Sequence, residues 1–205
     1  MLNPVTSRKV FERFLTEAEE RQLLRTIKRV DDALARRDLA WMTLLRQTGI
    51  RVGALSKLTC GDARDALRRG ELELSDEISK GHRGYAVHLN KAAQGALRTL
   101  LRERREQGFP ERADDPLVMS RKGNGLAVRS FQSRMQAWVR EARLPVSASP
   151  HWLRHTLARR VMDRSESSDP RSRVQLILGH RYRDTTAIYT LPTREEIANE
   201  LEAAS

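Results

Sequence analysis

The 205-residue chain contains a single cysteine, Cys60. A disulfide framework or a cysteine-based metal site needs more, so neither can form within one chain. Such sparing use of cysteine fits a reduced, cytosolic compartment. Aromatic residues are also scarce, at 5% of the sequence. Apolar residues still make up 39%, enough for a core, and this excludes disorder throughout. No apolar run approaches the roughly 20 residues of a membrane span. Arg8, Lys9, Glu12 and Arg13 place charge too early for a signal peptide. Acidic residues are outnumbered, 27 Asp+Glu against 38 Lys+Arg, for a formal net charge of +11. A basic globular chain of this kind most often meets nucleic acid, the alternative being a solvated basic surface. The length suits one domain, or one with an extension.

Several catalytic signatures are missing. No GxxxxGK[ST] loop is present to cradle a nucleotide phosphate. No GxSxG elbow occurs, and no carboxylate pairing suggests a glycosidase. His151 and His155 have a zinc-like i,i+4 spacing, but Trp152 stands where HExxH requires Glu, and Arg154 would oppose a metal. His155 is therefore expected to face the core. Neither a metal nor a cofactor is expected.

The patterning that is present reads as mostly α-helix with a minor sheet. Thr16 and Glu19 form a capping box for a helix with Leu23, Leu24, Ile27 and Val30 on its apolar stripe. The polar stretch Asp31–Arg37 breaks or bends it, and a new helix runs from about Asp38 to a stop at Gly49. Arg51 opens a further short helix. Glu71–Ser75 and Tyr85–Leu89 alternate around SKGHRG and predict a β-hairpin with Lys80 near its tip. Asn90 caps a helix over 91–107, and Phe131, Met135, Trp138, Val139 and Ala142 recur at helical spacing as a core stripe.

The most informative stretch runs from His151 to Tyr189. Ser149 and Pro150 start a helix, placing His151 and Arg154 three residues apart in its first turn. That end of a helix already favours an anion. A second helix, Pro170–Leu178, stops at Gly179 with His180 immediately after it, and Tyr189 follows in a short polar helix capped by Asp184. An arginine, two histidines and a tyrosine thus point to something negatively charged.

Four segments carry a resemblance: TGIRVGAL (48–55), SKGHRGYAVHL (79–89), HWLRHTLA (151–158) and LGHRYRDTTAIYT (178–190). Together and in this order they resemble the catalytic domain of the tyrosine recombinases, the phage-integrase type, over residues 16–191. The resemblance implies that Tyr189 attacks a phosphodiester of double-stranded DNA, leaving a 3′-phosphotyrosine and a 5′-hydroxyl. It further implies that Arg51 and Arg154 hold the nonbridging oxygens and Lys80 protonates the departing oxygen. His151 would assist proton transfer and His180 would bind the phosphate. Rejoining would need no metal or ATP, and a tetramer would synapse two sites.

There are two departures. Ala54 stands where the family usually carries an acidic residue, three positions after Arg51. Only an arm, residues 1–15, precedes the first helix, as in compact fimbrial-type DNA invertases or in a shortened chain. Thr193 and Glu196 predict a capped tail helix within 192–205, with Ile197 and Leu201 on one side. That side would be covered by the same chain or, as the resemblance implies, by a neighbouring protomer. A type IB-like DNA-relaxing enzyme and a catalytically impaired DNA-binding protein are the rival readings.

Overall fold

Thr16 begins the first helix with the expected reciprocal cap. The Glu19 N–H donates to its hydroxyl at 3.3 Å, and the Glu19 carboxylate takes the Thr16 N–H at 2.8 Å. The helix, α1, spans Glu17–Lys28 in this computed structural model, which describes residues 13–78, 84–179 and 194–203. Leu23 and Ile27 are buried, whereas Val30 lies beyond the helix end and is 37% exposed. Leu15, just before α1, is also core, and its N–H donates to the Thr156 hydroxyl at 2.9 Å.

The second helix departs from the expectation. α2 covers Ala33–Thr48, so most of the stretch read as a break is helical. Asp32 caps it by accepting from the Ala35 N–H at 2.6 Å. The charged residues that follow are paired, not solvated. Arg36 Nε donates to Glu103 at 2.8 Å, and Arg37 Nη1 donates to the Met119 carbonyl at 2.7 Å. An apolar periodicity cannot register a helix whose buried face includes paired charges.

Asp38 is the centre of that pairing and is 0% exposed. Its Oδ1 accepts from Arg37 Nη2 at 2.7 Å and Trp41 Nε1 at 3.0 Å. Its Oδ2 accepts from Arg134 Nε at 2.5 Å and Trp138 Nε1 at 2.8 Å. One carboxylate therefore joins α2 to α6 (Val128–Glu141) beside the edge-on Trp41–Phe131 contact, whose ring centroids are 5.1 Å apart. Removing one partner of a buried ion pair costs about 3–5 kcal/mol. Asp38→Ala should lower unfolding stability by about that amount in urea titrations; a loss below about 1 kcal/mol would show that the hub is dispensable.

A second carboxylate orients the helix carrying His151. Glu20 of α1 accepts from Arg46 of α2 at 2.7 and 2.9 Å and from Arg160 at 2.9 and 2.8 Å. Burial pushes the Glu20 carboxyl up, but the hydrogen bonds and charges of Arg46 and Arg160 outweigh it and hold the carboxyl below its ordinary value.

α3 (Val52–Leu55) and α4 (Cys60–Arg69) come next. α4 was not foreseen, because its buried face is made of the small residues Cys60, Ala63 and Ala66. The hairpin forms as expected: β1 (Glu71–Leu74) pairs antiparallel with β2 (Tyr85–His88), with Leu72 opposite Val87. Asn90 caps α5 (Lys91–Glu106), which packs on α2. The stripe Phe131, Met135, Trp138, Val139 and Ala142 is buried throughout. α7 (Pro150–Arg164), α8 (Pro170–Leu178) and α9 (Arg194–Ala203) complete the described elements. The fold is mainly α-helical with a small antiparallel sheet. None of the described helices is long and apolar enough to cross a membrane.

Candidate phosphate-binding cleft

The site is assembled where helices end. α2 terminates at Gly49, with φ of 66°. A Cβ at Gly49 would stand 2.6 Å from Leu178 Cδ2 and 2.9 Å from Leu157 Cδ2, so α7 and α8 pack directly on the α2 terminus. Only glycine meets both demands, the left-handed backbone and the close approach. Two residues later Arg51 occupies the N-cap position of α3. It is half-buried and lines an open cleft of about 420 Å³.

His151, Lys57, Ala54, Ile78 and Tyr85 share that cleft with Arg51. His151 lies in the first turn of α7 and is exposed. Its ring meets that of His155 edge-on, with centroids 4.6 Å apart. His155 is buried, the placement anticipated from the sequence. Ser149 holds the N-cap position of α7, but its hydroxyl makes no capping hydrogen bond.

Arg154 departs from the simple picture of two basic groups sharing one exposed face. It is 1% exposed, beneath the surface that His151 occupies. Its Nη1 donates to the Gly49 carbonyl and its Nη2 to the Leu178 carbonyl, the latter at 2.8 Å. These carbonyls belong to the ends of α2 and α8, where unsatisfied oxygens and the negative end of the helix dipole favour a cation. A single guanidinium therefore fixes Gly49 beside Arg51 and Leu178 just ahead of His180.

The hairpin reaches the same place. Gly179 has φ of 61°, and a Cβ there would lie 2.6 Å from two Tyr85 ring carbons. The end of α8 thus abuts the first residue of β2. Gly179→Ala should displace this contact and lower the melting temperature, while the same change at Gly53, where a Cβ would meet nothing within 4 Å, should be nearly silent. Equal effects at both positions in thermal denaturation would count against the contact.

Of the six residues expected at the site, the structure brings Arg51 and His151 into one cleft, while Arg154 is buried and is not among its lining residues. Lys80, His180 and Tyr189 lie outside the described residues, as do Asp184 and Thr193. Ile78 and Tyr85, which bracket Lys80 in the chain, both line the cleft. Among the described residues no cluster of His, Cys, Asp and Glu is placed to hold a metal ion.

The Phage integrase family profile matches residues 13–196. The chain belongs to this family. Tyrosine recombinase XerC of Vibrio parahaemolyticus serotype O3:K6 is 37% identical over 161 residues, covering 78% of this chain and 48% of that protein. Tyrosine recombinase XerD of Pseudomonas aeruginosa is 34% identical over 176 residues, covering 86% and 56%. The chain spans about half the length of the curated relatives it matches. Among solved structures, XerH site-specific recombinase in a pre-cleavage complex with its difH substrate aligns with a TM-score of 0.71 at 23% identity. That alignment covers 98% of this chain and 56% of that one. XerA recombinase gives 0.71 at 21% identity, over 93% and 63%. The fold is that of these recombinases.

Within this phage integrase family member, sequence reading missed two cleft residues. Lys57 had only its distance from Arg51 to mark it, and Tyr85 read as an ordinary strand aromatic. Among the described lining residues the charged or chargeable groups are Arg51, Lys57, His151 and Tyr85, with no carboxylate. With Ala54 in the wall, the cleft is suited to an anion.

Proposed function

We propose that this chain is the catalytic part of a site-specific DNA recombinase. The observation that supports this most directly is the cleft that joins Arg51 and His151, a hundred residues apart in sequence, with Arg154 tied nearby to the Gly49 and Leu178 carbonyls. In this reading Tyr189 attacks a phosphodiester of double-stranded DNA and forms a 3′-phosphotyrosine, releasing a 5′-hydroxyl. Arg51 and Arg154 stabilise the charge that develops on the nonbridging oxygens. Lys80 protonates the leaving 5′-oxygen, His151 assists proton transfer at the nucleophile, and His180 binds the phosphate. The covalent bond conserves the energy needed for rejoining, so neither metal nor ATP takes part.

Residues 1–15 serve as an arm, 16–191 as the catalytic domain and 192–205 as a tail for contacts between protomers. In α9, Ile197 is 43% and Leu201 66% exposed, which supports a tail that docks on a neighbouring copy. The working assembly is a tetramer on two DNA sites, in the cytoplasm, for a chain of bacterial, phage or mobile-element origin.

The test is covalent trapping on nicked suicide-substrate DNA, with and without EDTA, resolved by denaturing gel. An adduct of equal yield in both is expected. Adduct with relaxation of supercoiled DNA but no strand exchange would point to a type IB-like enzyme. Binding with no adduct would point to a DNA-binding protein, and strict magnesium dependence would overturn the mechanism.

A further inference from the structure

Lys57 sits just beyond α3, six residues after Arg51, and is exposed at the same cleft. Its Nζ donates to the Glu77 carbonyl at 2.8 Å. That bond is exposed to water, and its acceptor is a neutral carbonyl. A phosphate oxygen carries negative charge and adds an ion-pair attraction that the neutral carbonyl lacks. A phosphate entering the cleft would therefore draw the ammonium away from its carbonyl. No carboxylate among the described lining residues competes for it.

Arg51 caps the start of α3 and Lys57 lies two residues beyond its end, so the two cations stand at opposite ends of the helix whose Val52, Gly53 and Ala54 form the cleft wall between them. We propose that Lys57 is a further DNA-binding residue of this cleft, gripping a backbone phosphate beside the one held by Arg51. It positions the strand without taking part in the chemistry. The Glu77 carbonyl is its resting partner, and the proposal rests on the reading of the cleft as a DNA-phosphate site.

The experiment measures binding of the full chain to a duplex across a salt series by fluorescence anisotropy, for Lys57→Gln, Lys57→Arg, Arg51→Gln and the Lys57→Gln/Arg51→Gln pair. Each lost phosphate contact should reduce the log–log salt slope by about 0.9. Lys57→Gln is expected to show one such step, Lys57→Arg none, and the pair two. Thermal melting of Lys57→Gln should match that of the original chain. An unchanged slope for Lys57→Gln would overturn the proposal, most directly if its melting temperature fell, since Lys57 would then be a strut for the hairpin. A pair showing only one step would place both cations on one phosphate and overturn the assignment to a neighbouring one. Trapping runs in parallel and separates the two readings. Additive slopes without an adduct would sink the recombinase mechanism and leave Lys57 as a phosphate contact; an adduct with an unchanged slope would do the reverse.

Discussion

Arg154→Ala is expected to remove cleavage and loosen the fold in a single step. The guanidinium is buried and donates to carbonyls at the ends of two helices, Gly49 of α2 and Leu178 of α8. A hydrogen bond from a charged group contributes about 1.5–3 kcal/mol, and each buried carbonyl left without a donor costs about 1–3 kcal/mol. Two such bonds make Arg154 one of the more expensive side chains to delete, and a stability loss of about 3–5 kcal/mol is expected in denaturant titrations. In the proposed mechanism the same residue stabilises transition-state charge, so adduct formation should fall by a further ~10²–10³-fold even in the fraction that stays folded. Arg154→Lys separates the two effects. A lysine keeps the charge but cannot reach two divergent carbonyls with a rigid fork. It should therefore recover part of the stability and little of the cleavage. Full cleavage by the lysine variant would reduce Arg154 to a structural tie.

Tyr189→Phe should bind DNA as the original chain does and form no covalent adduct. Phenylalanine keeps the ring and removes only the hydroxyl, the proposed nucleophile. A tyrosine hydroxyl has an ordinary pKa of about 10 and is almost wholly neutral near pH 7. Its reactivity thus depends on surrounding cations that favour the phenolate and neutralise the phosphate. With the oxygen gone, no remaining group can form the ester, and the loss should be at least on the order of 10⁴-fold. The chain has three tyrosines, which makes the assignment testable by elimination. Tyr182→Phe should retain the adduct, as should Tyr85→Phe, whose ring lines the cleft and backs Gly179. If either of these is the one that abolishes the adduct, Tyr189 is not the nucleophile.

Much of the architecture was legible beforehand because local signals coincided. The Thr16 box, the Asn90 cap, the Gly49 and Gly179 stops and the Phe131–Ala142 stripe all appear where residue chemistry placed them. The failures share a cause. α2 began too late because Arg36, Arg37 and Asp38 look solvated until Glu103, Met119, Arg134 and Trp138 arrive from elsewhere in the chain. α4 was overlooked because Ala and Cys give a faint apolar period, and they bury well only once the other elements close over them.

Family, helical character, hairpin and the set of residues to suspect were all readable from the chain alone, since these depend on residue type, order and short-range spacing. Tertiary structure decided how those residues are deployed. Arg154 and His151 look equivalent three residues apart on one helix. One is buried on two carbonyls and the other opens onto the cleft, because α2 and α8 bring their ends to one side of α7 and not to the other. Lys57 and Tyr85 line the cleft for the same reason: the hydrogen bond from the Lys57 ammonium to the Glu77 carbonyl and the packing of a ring on Gly179 are long-range, and no period in the chain encodes them.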